Sequence, residues 1–175
     1  MHASSFNLMA QMYKHLLACT DLPKSCGKPH YHVDVLHKVY ANDSHHRIYA
    51  TDSVVMFRLE DSNMATLGNQ VKNAIGDYTL ELDGKRLYAA PAPEKAPTSI
   101  TFDRLFDSFI KEKGSLSTHW AFNSHELERV FKAYRILGIN PDFTICSKVL
   151  YLHGQAEGLA HRTVTLECIM MPISR

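Results

Sequence analysis

The sequence lacks the signatures of a membrane-spanning or secreted protein. No apolar run approaches the roughly 20 residues that a helix needs to cross a bilayer. Residues 1–5 carry neither the basic region nor the long apolar segment of a signal peptide. On this pattern we expect a cytoplasmic protein without a membrane partner.

The sequence also lacks the common catalytic motifs. It contains no GxSxG, no phosphate-binding P-loop and no glycine-rich dinucleotide turn. We therefore predict a non-catalytic protein that uses no cofactor. The enzymatic alternative is a nucleophile pair of Cys19 or Cys26 with a histidine.

Cysteine is scarce and shows no metal-binding spacing. The chain has 4 cysteines, and neither CxxC nor HExxH occurs. We interpret the cysteines as reduced and structural and predict no metal site. A zinc site remains the alternative, since His30 and His32 would share one face of a strand with Cys19 and Cys26 nearby in sequence. That alternative implies a small metal-dependent enzyme.

What is present is the composition of an ordinary globular chain. Of the 175 residues, 45% are hydrophobic and 21% are charged, enough for one sizeable domain over residues 1–175. The formal net charge of +1 does not exclude nucleic acid, because a nearly neutral chain can concentrate positive charge on one face.

Two segments show the three- and four-residue spacing of amphipathic helices. The first covers residues 6–20, with Ser5 as its cap. The second starts at Asn123 or Ser124 and ends at Gly138. Its predicted apolar stripe consists of Leu127, Val130, Phe131, Tyr134 and Leu137.

Three strand-like segments follow each helix. After the first helix they cover residues 31–40, 47–50 and 54–59, with turns at 41–44 and 51–53. In the second turn, Asp52 is predicted to bond its own backbone. After the second helix the strands cover 142–146, 148–152 and 162–171, with a loop at 154–161. The chain therefore contains two helix-plus-three-strand units, residues 6–60 and 118–175.

Residues 64–116 form an insertion between the units. Segments 78–82 and 86–90 flank an Asp-Gly-Lys turn, which predicts a hairpin. A proline-rich connector at 91–97 and a short helix at 102–110 follow. The predicted fold class is α+β, with antiparallel sheets backed by two helices and a hairpin-containing insertion.

The final residues are apolar, which is unusual for a chain end. We expect Ile169–Ile173 to be held down, either as the last strand of a sheet or as the wall of a groove. Because side chains alternate along a strand, Met171 and Ile173 would lie on one face and Met170 and Pro172 on the other.

Three segments resemble the bacterial sliding clamp family, the beta subunit of the replicative DNA polymerase. Residues 47–53 are similar to a clamp strand that ends in Ala-Thr-Asp, and residues 122–130 to the start of the final clamp helix. Residues 169–173 are similar to the C-terminal clamp strand with its Met-Pro ending. Family members carry three such domains per chain, so this length suggests a standalone relative, such as a phage product.

The resemblance implies a DNA-clamp-like domain whose helices face double-stranded DNA. Cations on those helices would contact phosphates without reading the sequence. On the second helix, basic residues recur at three-residue steps off the apolar stripe. The candidate DNA-binding residues are Lys14, Lys24, Lys28, Arg129, Lys132 and Arg135.

The resemblance also implies a peptide groove beside the C-terminal strand. In the family this groove receives short apolar peptides of polymerases and clamp loaders. The matching residues here are Met170, Met171, Pro172 and Ile173, and methionine adapts to several partners. The implied function is that of a non-catalytic, clamp-like protein of DNA replication. It would act either as a processivity factor that self-associates into a ring around DNA or as a platform that binds replication proteins through the groove. The alternative is a regulatory interaction module that competes for clamp partners without encircling DNA.

Overall fold

The computed structural model describes residues 4–20, 38–62, 77–83, 86–111, 120–146, 148–157 and 163–173. These residues form three helices and eight strands, which confirms the α+β class. The helices are α1 (Ser4–Ala18), α2 (Ser99–Ile110) and α3 (Ser124–Leu137). The strands are β1 (Val39–Asn42), β2 (Arg47–Thr51), β3 (Val55–Asp61), β4 (Asp77–Asp83), β5 (Arg86–Pro91), β6 (Asp142–Ile145), β7 (Leu150–Glu157) and β8 (Thr163–Met170).

The eight strands form one antiparallel sheet in the order β5-β4-β1-β2-β3-β8-β7-β6. Strands β1–β3 and β6–β8 are two meanders that meet where β3 pairs with β8, placing Phe57 opposite Cys168. The two helix-plus-three-strand units are thus present, but their strands make one continuous sheet. The predicted hairpin is confirmed as β4–β5, which extends the sheet beside β1.

Helices α1 and α3 cover one face of the sheet. Met12 and Leu16 of α1 and Val130 of α3 share a core with alternate strand residues such as Val39 and Leu166. The period-two alternation of the strands directs these side chains to a single face. Two hydroxyls bind strand carbonyls in this layer: Tyr13 donates to Leu80 O at 2.6 Å, and Tyr134 donates to Leu152 O at 2.9 Å.

Helix α2 covers the opposite face. Phe102 stacks on Tyr49 with ring centroids 5.0 Å apart, and Phe106 meets Tyr151 edge to face. The Arg58 guanidinium lies 4.3 Å from the centroid of the Phe106 ring. The sheet is therefore the middle of three layers, because strand residues of the other parity bury against α2.

Local signals set the helix ends. The Asn123 side chain accepts from His125 N at the start of α3, and Gly138 ends it with a left-handed φ of 68°. Helix α2 begins at Ser99, earlier than the predicted residue 102, because the Thr98 side chain caps it by accepting from Thr101 N.

Three sequence predictions were wrong in detail. The turn predicted at 41–44 begins only after Asn42, since β1 pairs with both β2 and β4 through that residue. Strand β7 continues to Glu157, into the predicted loop, because it pairs with β8 as far as Thr163. Phe131 does not join the buried stripe of α3: it is 43% exposed and lies 5.8 Å from the Phe143 ring.

The remaining predictions fall in part outside the described residues. The predicted strand at 31–40 is described only from residue 38 onward, where β1 begins. Cys26, His30 and His32 also lie outside the described part of the chain. Among the helices that the structure describes, none combines the length and the apolar character required to cross a membrane.

Candidate functional site

An apolar groove of about 250 Å³ lies between α2, the β2–β3 turn and the end of β8. Phe102, Leu105 and Phe109 of α2 line one side. Val54 and Met56 come from the turn and from β3. Ile169 and Met171 come from the end of β8, and Thr51, Ser53, Val55 and Pro97 complete the lining.

The β2–β3 turn that supplies one wall is built on Asp52. Its Oδ1 accepts the backbone N–H groups of Val54 at 2.9 Å and Val55 at 2.7 Å. The Thr51 hydroxyl donates to Val55 O at 2.8 Å, and Ser53 takes a left-handed φ of 73°. The predicted role of Asp52 as a turn residue is confirmed, and the bonds hold a backbone that a non-glycine residue rarely adopts.

Backbone hydrogen bonds hold down the C-terminal segment. Met171 N donates to Val54 O at 2.9 Å, and Ile173 N donates to Ala121 O at 2.8 Å. Met171 and Ile173 are 38% and 48% exposed, whereas Met170 is 1% exposed and Pro172 is half-buried. This pattern agrees with the predicted alternation of faces.

Of the four residues predicted for a groove, the structure places Met171 in the lining. Met170 packs in the core under α1 and α3, on the other face of the sheet. The assignment of Met170 to the groove is thereby corrected, because a fully buried side chain offers no contact surface. Pro172 and Ile173 follow Met171 but are not among the lining residues.

The sequence pattern did not predict the wall that α2 contributes. The signal was the i, i+3, i+4, i+7 spacing of Phe102, Leu105, Phe106 and Phe109, which marks one apolar stripe about 100° wide on the helix. Phe106 is fully buried, while Leu105 is 43% exposed. The helix thus packs the middle of one apolar stripe against the sheet and leaves Leu105, at the edge of that stripe, open to the groove.

The predicted DNA-binding residues fall into separate classes. Lys14 on α1 and Lys132 and Arg135 on α3 are exposed. Lys24 and Lys28 lie outside the described residues. Arg129 is largely buried, with an 18% exposed side chain. We call the surface formed by Lys14, Lys132 and Arg135 the cationic helix face.

The Arg129 guanidinium joins three elements of the fold. Its Nη1 donates to Asp52 Oδ2 at 3.1 Å and to Glu126 Oε1 at 2.9 Å. Its Nη2 donates to Ala18 O at 2.7 Å, at the end of α1. These bonds commit the guanidinium to internal partners, so a DNA contact by Arg129 would compete with them.

Burial dominates the electrostatics of this cluster. The side chains of Asp52 and Glu126 are 0% and 2% exposed. Burial raises the pKa of Asp52 despite its hydrogen bonds from Val55 and Val54. Burial also raises the pKa of Glu126, and the nearby Asp52 charge adds to that rise. Arg129 opposes both shifts by stabilising the ionised carboxylates.

A second ionic cluster attaches α2 to the sheet. Arg58 Nε donates to Glu167 Oε2 at 2.6 Å, and its Nη1 donates to Asp103 Oδ1 of α2 at 3.0 Å. Arg47 Nη1 also donates to Asp103, at 3.0 Å. Although burial alone would raise the pKa of Glu167, hydrogen bonds from Arg58 and Tyr151 outweigh it and lower that pKa.

The cysteines show no activated nucleophile in the described residues. Cys19 Sγ lies 3.5 Å from His15 Nε2, but burial raises the pKa of Cys19 to about 11. A nucleophilic cysteine needs the opposite shift. Within the described ranges, no group of three or more His, Cys, Asp or Glu side chains is arranged to hold a metal.

No protein-family model matches the sequence, and no curated protein matches it at a significant level. The apolar groove and the cationic helix face are the two surfaces on which a functional proposal rests.

Proposed function

We propose that this chain is a non-catalytic, clamp-like protein of DNA replication that binds short apolar segments of partner proteins in the groove beside β8. The observation that carries the proposal is the apolar groove of about 250 Å³, with Met171 at its edge. Sites for whole small molecules span roughly 300–1,000 Å³. A slightly smaller apolar groove suits one or two large side chains of a peptide.

The lining favours a recognition role. Met56 and Met171 both contribute to it, and flexible thioethers adapt to peptides of different shape. Leu105 and Met171 are partly exposed in the free protein. Their burial by a peptide side chain would contribute about 25 cal/mol per Å² of apolar surface removed from water.

The architecture supports a clamp-like domain. Each unit has one helix followed by three strands, and the units join where β3 pairs with β8. Both α1 and α3 lie on the same face of the sheet and contribute to one core. The resemblance to sliding clamps implies this placement of two helices that face DNA.

The cationic helix face supports contact with double-stranded DNA. Lys14, Lys132 and Arg135 are exposed on α1 and α3 and could meet phosphates without reading bases. The alternative, an interaction module that does not encircle DNA, gains support from Arg129, whose guanidinium already binds Asp52 and Glu126. DNA affinity separates the two.

The sheet edges support self-association. Among the described strands, β5 and β6 each pair on one side only. Beside the β6 edge, Phe143 is 53% exposed and its ring lies 5.8 Å from that of Phe131. An unpaired strand edge with exposed aromatic rings is a surface that a second copy could cover.

Peptide binding tests the groove directly. The probes are fluorescein-labelled hexapeptides with Leu or Phe at two adjacent positions, and matched peptides carrying Ser there. Met171→Glu should abolish binding of the apolar peptides, because it places a charge in the lining. Ile173→Glu is the matched control, since Ile173 is exposed but outside the lining. Equal binding by both variants, or no binding by the wild type, would refute the groove.

DNA binding tests the cationic helix face. Lys132→Ala combined with Arg135→Ala should weaken binding to a labelled duplex and lower the salt slope by about two. Lys95→Ala combined with Arg104→Ala removes two other exposed cations and should bind as wild type does. No salt-sensitive DNA binding, with peptide binding intact, would select the interaction module.

Solution mass, with and without DNA, tests ring assembly. Phe143→Ser should reduce the mass of an oligomer to that of a monomer. Ile100→Ser is the control, because Ile100 is 57% exposed on α2, away from the β6 edge. A wild-type protein that stays monomeric at high concentration would refute self-assembly.

A further inference from the structure

One residue, Val54, connects two walls of the groove. Its side chain is part of the lining. Its N–H donates to Asp52 Oδ1 at 2.9 Å, and its carbonyl accepts from Met171 N at 2.9 Å. A displacement of Val54 would therefore move the backbone of Met171 as well.

Asp52 is held from the other face of the sheet. Its Oδ2 accepts from Arg129 Nη1 at 3.1 Å, while its Oδ1 serves the turn. The Asp52 side chain is fully buried and is not part of the groove lining. It affects the groove only through the backbone of the β2–β3 turn, which its hydrogen bonds hold in place.

Groups on α1 and α3 in turn orient Arg129. Glu126 accepts from its Nη1, and Ala18 O accepts from its Nη2 at 2.7 Å. The Arg129 carbonyl lies 2.7 Å from His15 Nε2 of α1. The guanidinium therefore has little freedom to rotate away from Asp52.

We propose that Asp52 and Arg129 are positioning residues of the groove, acting from the face of the sheet that α1 and α3 cover. Arg129 orients the Asp52 carboxylate, and that carboxylate fixes the position of the Val54 N–H. The Val54 carbonyl in turn fixes the position of the Met171 backbone. The inference rests on the proposed function for the nature of the groove ligand, but the positioning itself is a property of the free protein. It also gives Arg129 a role distinct from that of Lys132 and Arg135 on the same helix.

Methionine methyl NMR reports the position of the groove walls without a ligand. In protein labelled with ¹³C-methyl methionine, Arg129→Gln should shift the resonances of Met56 and Met171. Glu128→Gln is the matched control, since it exchanges an exposed charge on the same helix for the same amide. It should leave both resonances in place.

Affinity for the apolar hexapeptides gives a second readout. Arg129→Gln should weaken binding about tenfold, which corresponds to about 1.4 kcal/mol, while Glu128→Gln stays near the wild type. Asp52→Asn keeps one acceptor for the turn, so it should lose less affinity than Asp52→Ala. A purely structural role as the charge partner of Arg129 would make these two Asp52 variants equal.

The wild-type protein offers a test that needs no substitution. With ¹⁵N-labelled arginine side chains, saturation with a binding hexapeptide should shift the Nε–H resonance of Arg129 and leave that of Arg135 unchanged. This shift tests the positioning role of Arg129 even if the Arg129 or Asp52 variants do not fold.

The positioning proposal and the groove proposal can fail independently of each other. If folded Arg129→Gln and Asp52→Ala leave Met171 and the peptide affinity unchanged, the positioning role is refuted and the groove proposal stands. If no hexapeptide binds the wild type, the groove proposal fails, while the methyl resonances still decide whether Arg129 positions Met171.

Discussion

Arg58 and Glu167 face each other where the two halves of the sheet join. They are direct partners in the register of β3 and β8, and two hydrogen bonds of 2.6 and 3.1 Å link their side chains. Their side chains are 8% and 14% exposed. The same guanidinium reaches Asp103 of α2, so one arginine side chain connects both units and the outer helix through two ion pairs.

Replacement of this carboxylate should be costly. Glu167→Gln leaves a buried guanidinium short of a partner, and removing one member of a buried pair costs about 3–5 kcal/mol. Because Asp103 still pairs with Arg58, we expect the lower end of that range, measured by urea unfolding. Glu60→Gln is the control: its pair with Arg47 is about half exposed on the carboxylate side and should contribute less than about 1 kcal/mol.

The same carboxylate predicts a loss of stability in acid. Its pKa is lowered from 4.5 in the folded protein. The stabilisation is therefore complete above 4.5 and is lost as the pH falls through the folded-state pKa. Unfolding at pH 5 and pH 3 should show a smaller acid loss for Glu167→Gln than for the wild type; equal losses would contradict the assignment.

Glu126 predicts the opposite dependence of folding stability on pH. Its pKa is raised above 4.5 by burial and by Asp52. As the pH falls from 7, the folded state takes up this proton before the unfolded state, so the cost of the buried charge is relieved. Glu126→Gln should show less of this gain as the pH falls from 7 towards 4.5. Glu128→Gln, an exposed position on the same helix, should follow the wild type.

Gly154 predicts a steric constraint in β7. A Cβ at this position would clash with Ile139 Cγ2 and would lie 3.2 Å from Asn140 O. Gly154→Ala should therefore destabilise the fold by about 1–3 kcal/mol, as overpacking does. Combined with Ile139→Ala, which removes the clashing methyl, the loss should be less than the sum of the single losses. Additive losses would show that the contact is not the cause.

The two terminal methionines should respond differently to truncation. Met170 is 1% exposed in the core, so Met170→Ala should cost about 2–5 kcal/mol. Met171 is 38% exposed, so Met171→Ala should change stability by less than about 1 kcal/mol. Thermal unfolding of both variants measures the contrast, and similar losses would place Met171 in the core instead.

The groove was only partly predictable for a physical reason. The alternation of exposure at Met170 and Met171 follows from strand geometry and was expected from sequence. The wall formed by Leu105 and Phe109 was not, because the spacing of the apolar residues on α2 shows the stripe but not how much of it the sheet covers. Which edge of the stripe remains partly open depends on where α2 lies on the sheet.

The basic residues of α3 were likewise only partly predictable from the sequence. Arg129, Lys132 and Arg135 recur at equal steps and look alike in sequence. In the structure Arg129 turns inward to Asp52, which lies 77 positions earlier in the chain, while the other two remain exposed. No local pattern distinguishes them, because the distinguishing carboxylate belongs to another element.

By itself, the sequence determined the features that depend on near neighbours: the Asn123 cap, the Gly138 stop, the β4–β5 hairpin and the helix-plus-three-strand order. These arise from hydrogen bonds and side-chain periodicity within a few residues. The tertiary structure alone decided that β3 pairs with β8, that α2 lies opposite α1 and α3, and that Val54 joins Asp52 to Met171. Those outcomes depend on contacts between residues far apart in the chain, which form only when the strands of both units pair into one sheet and the ionic groups are buried together.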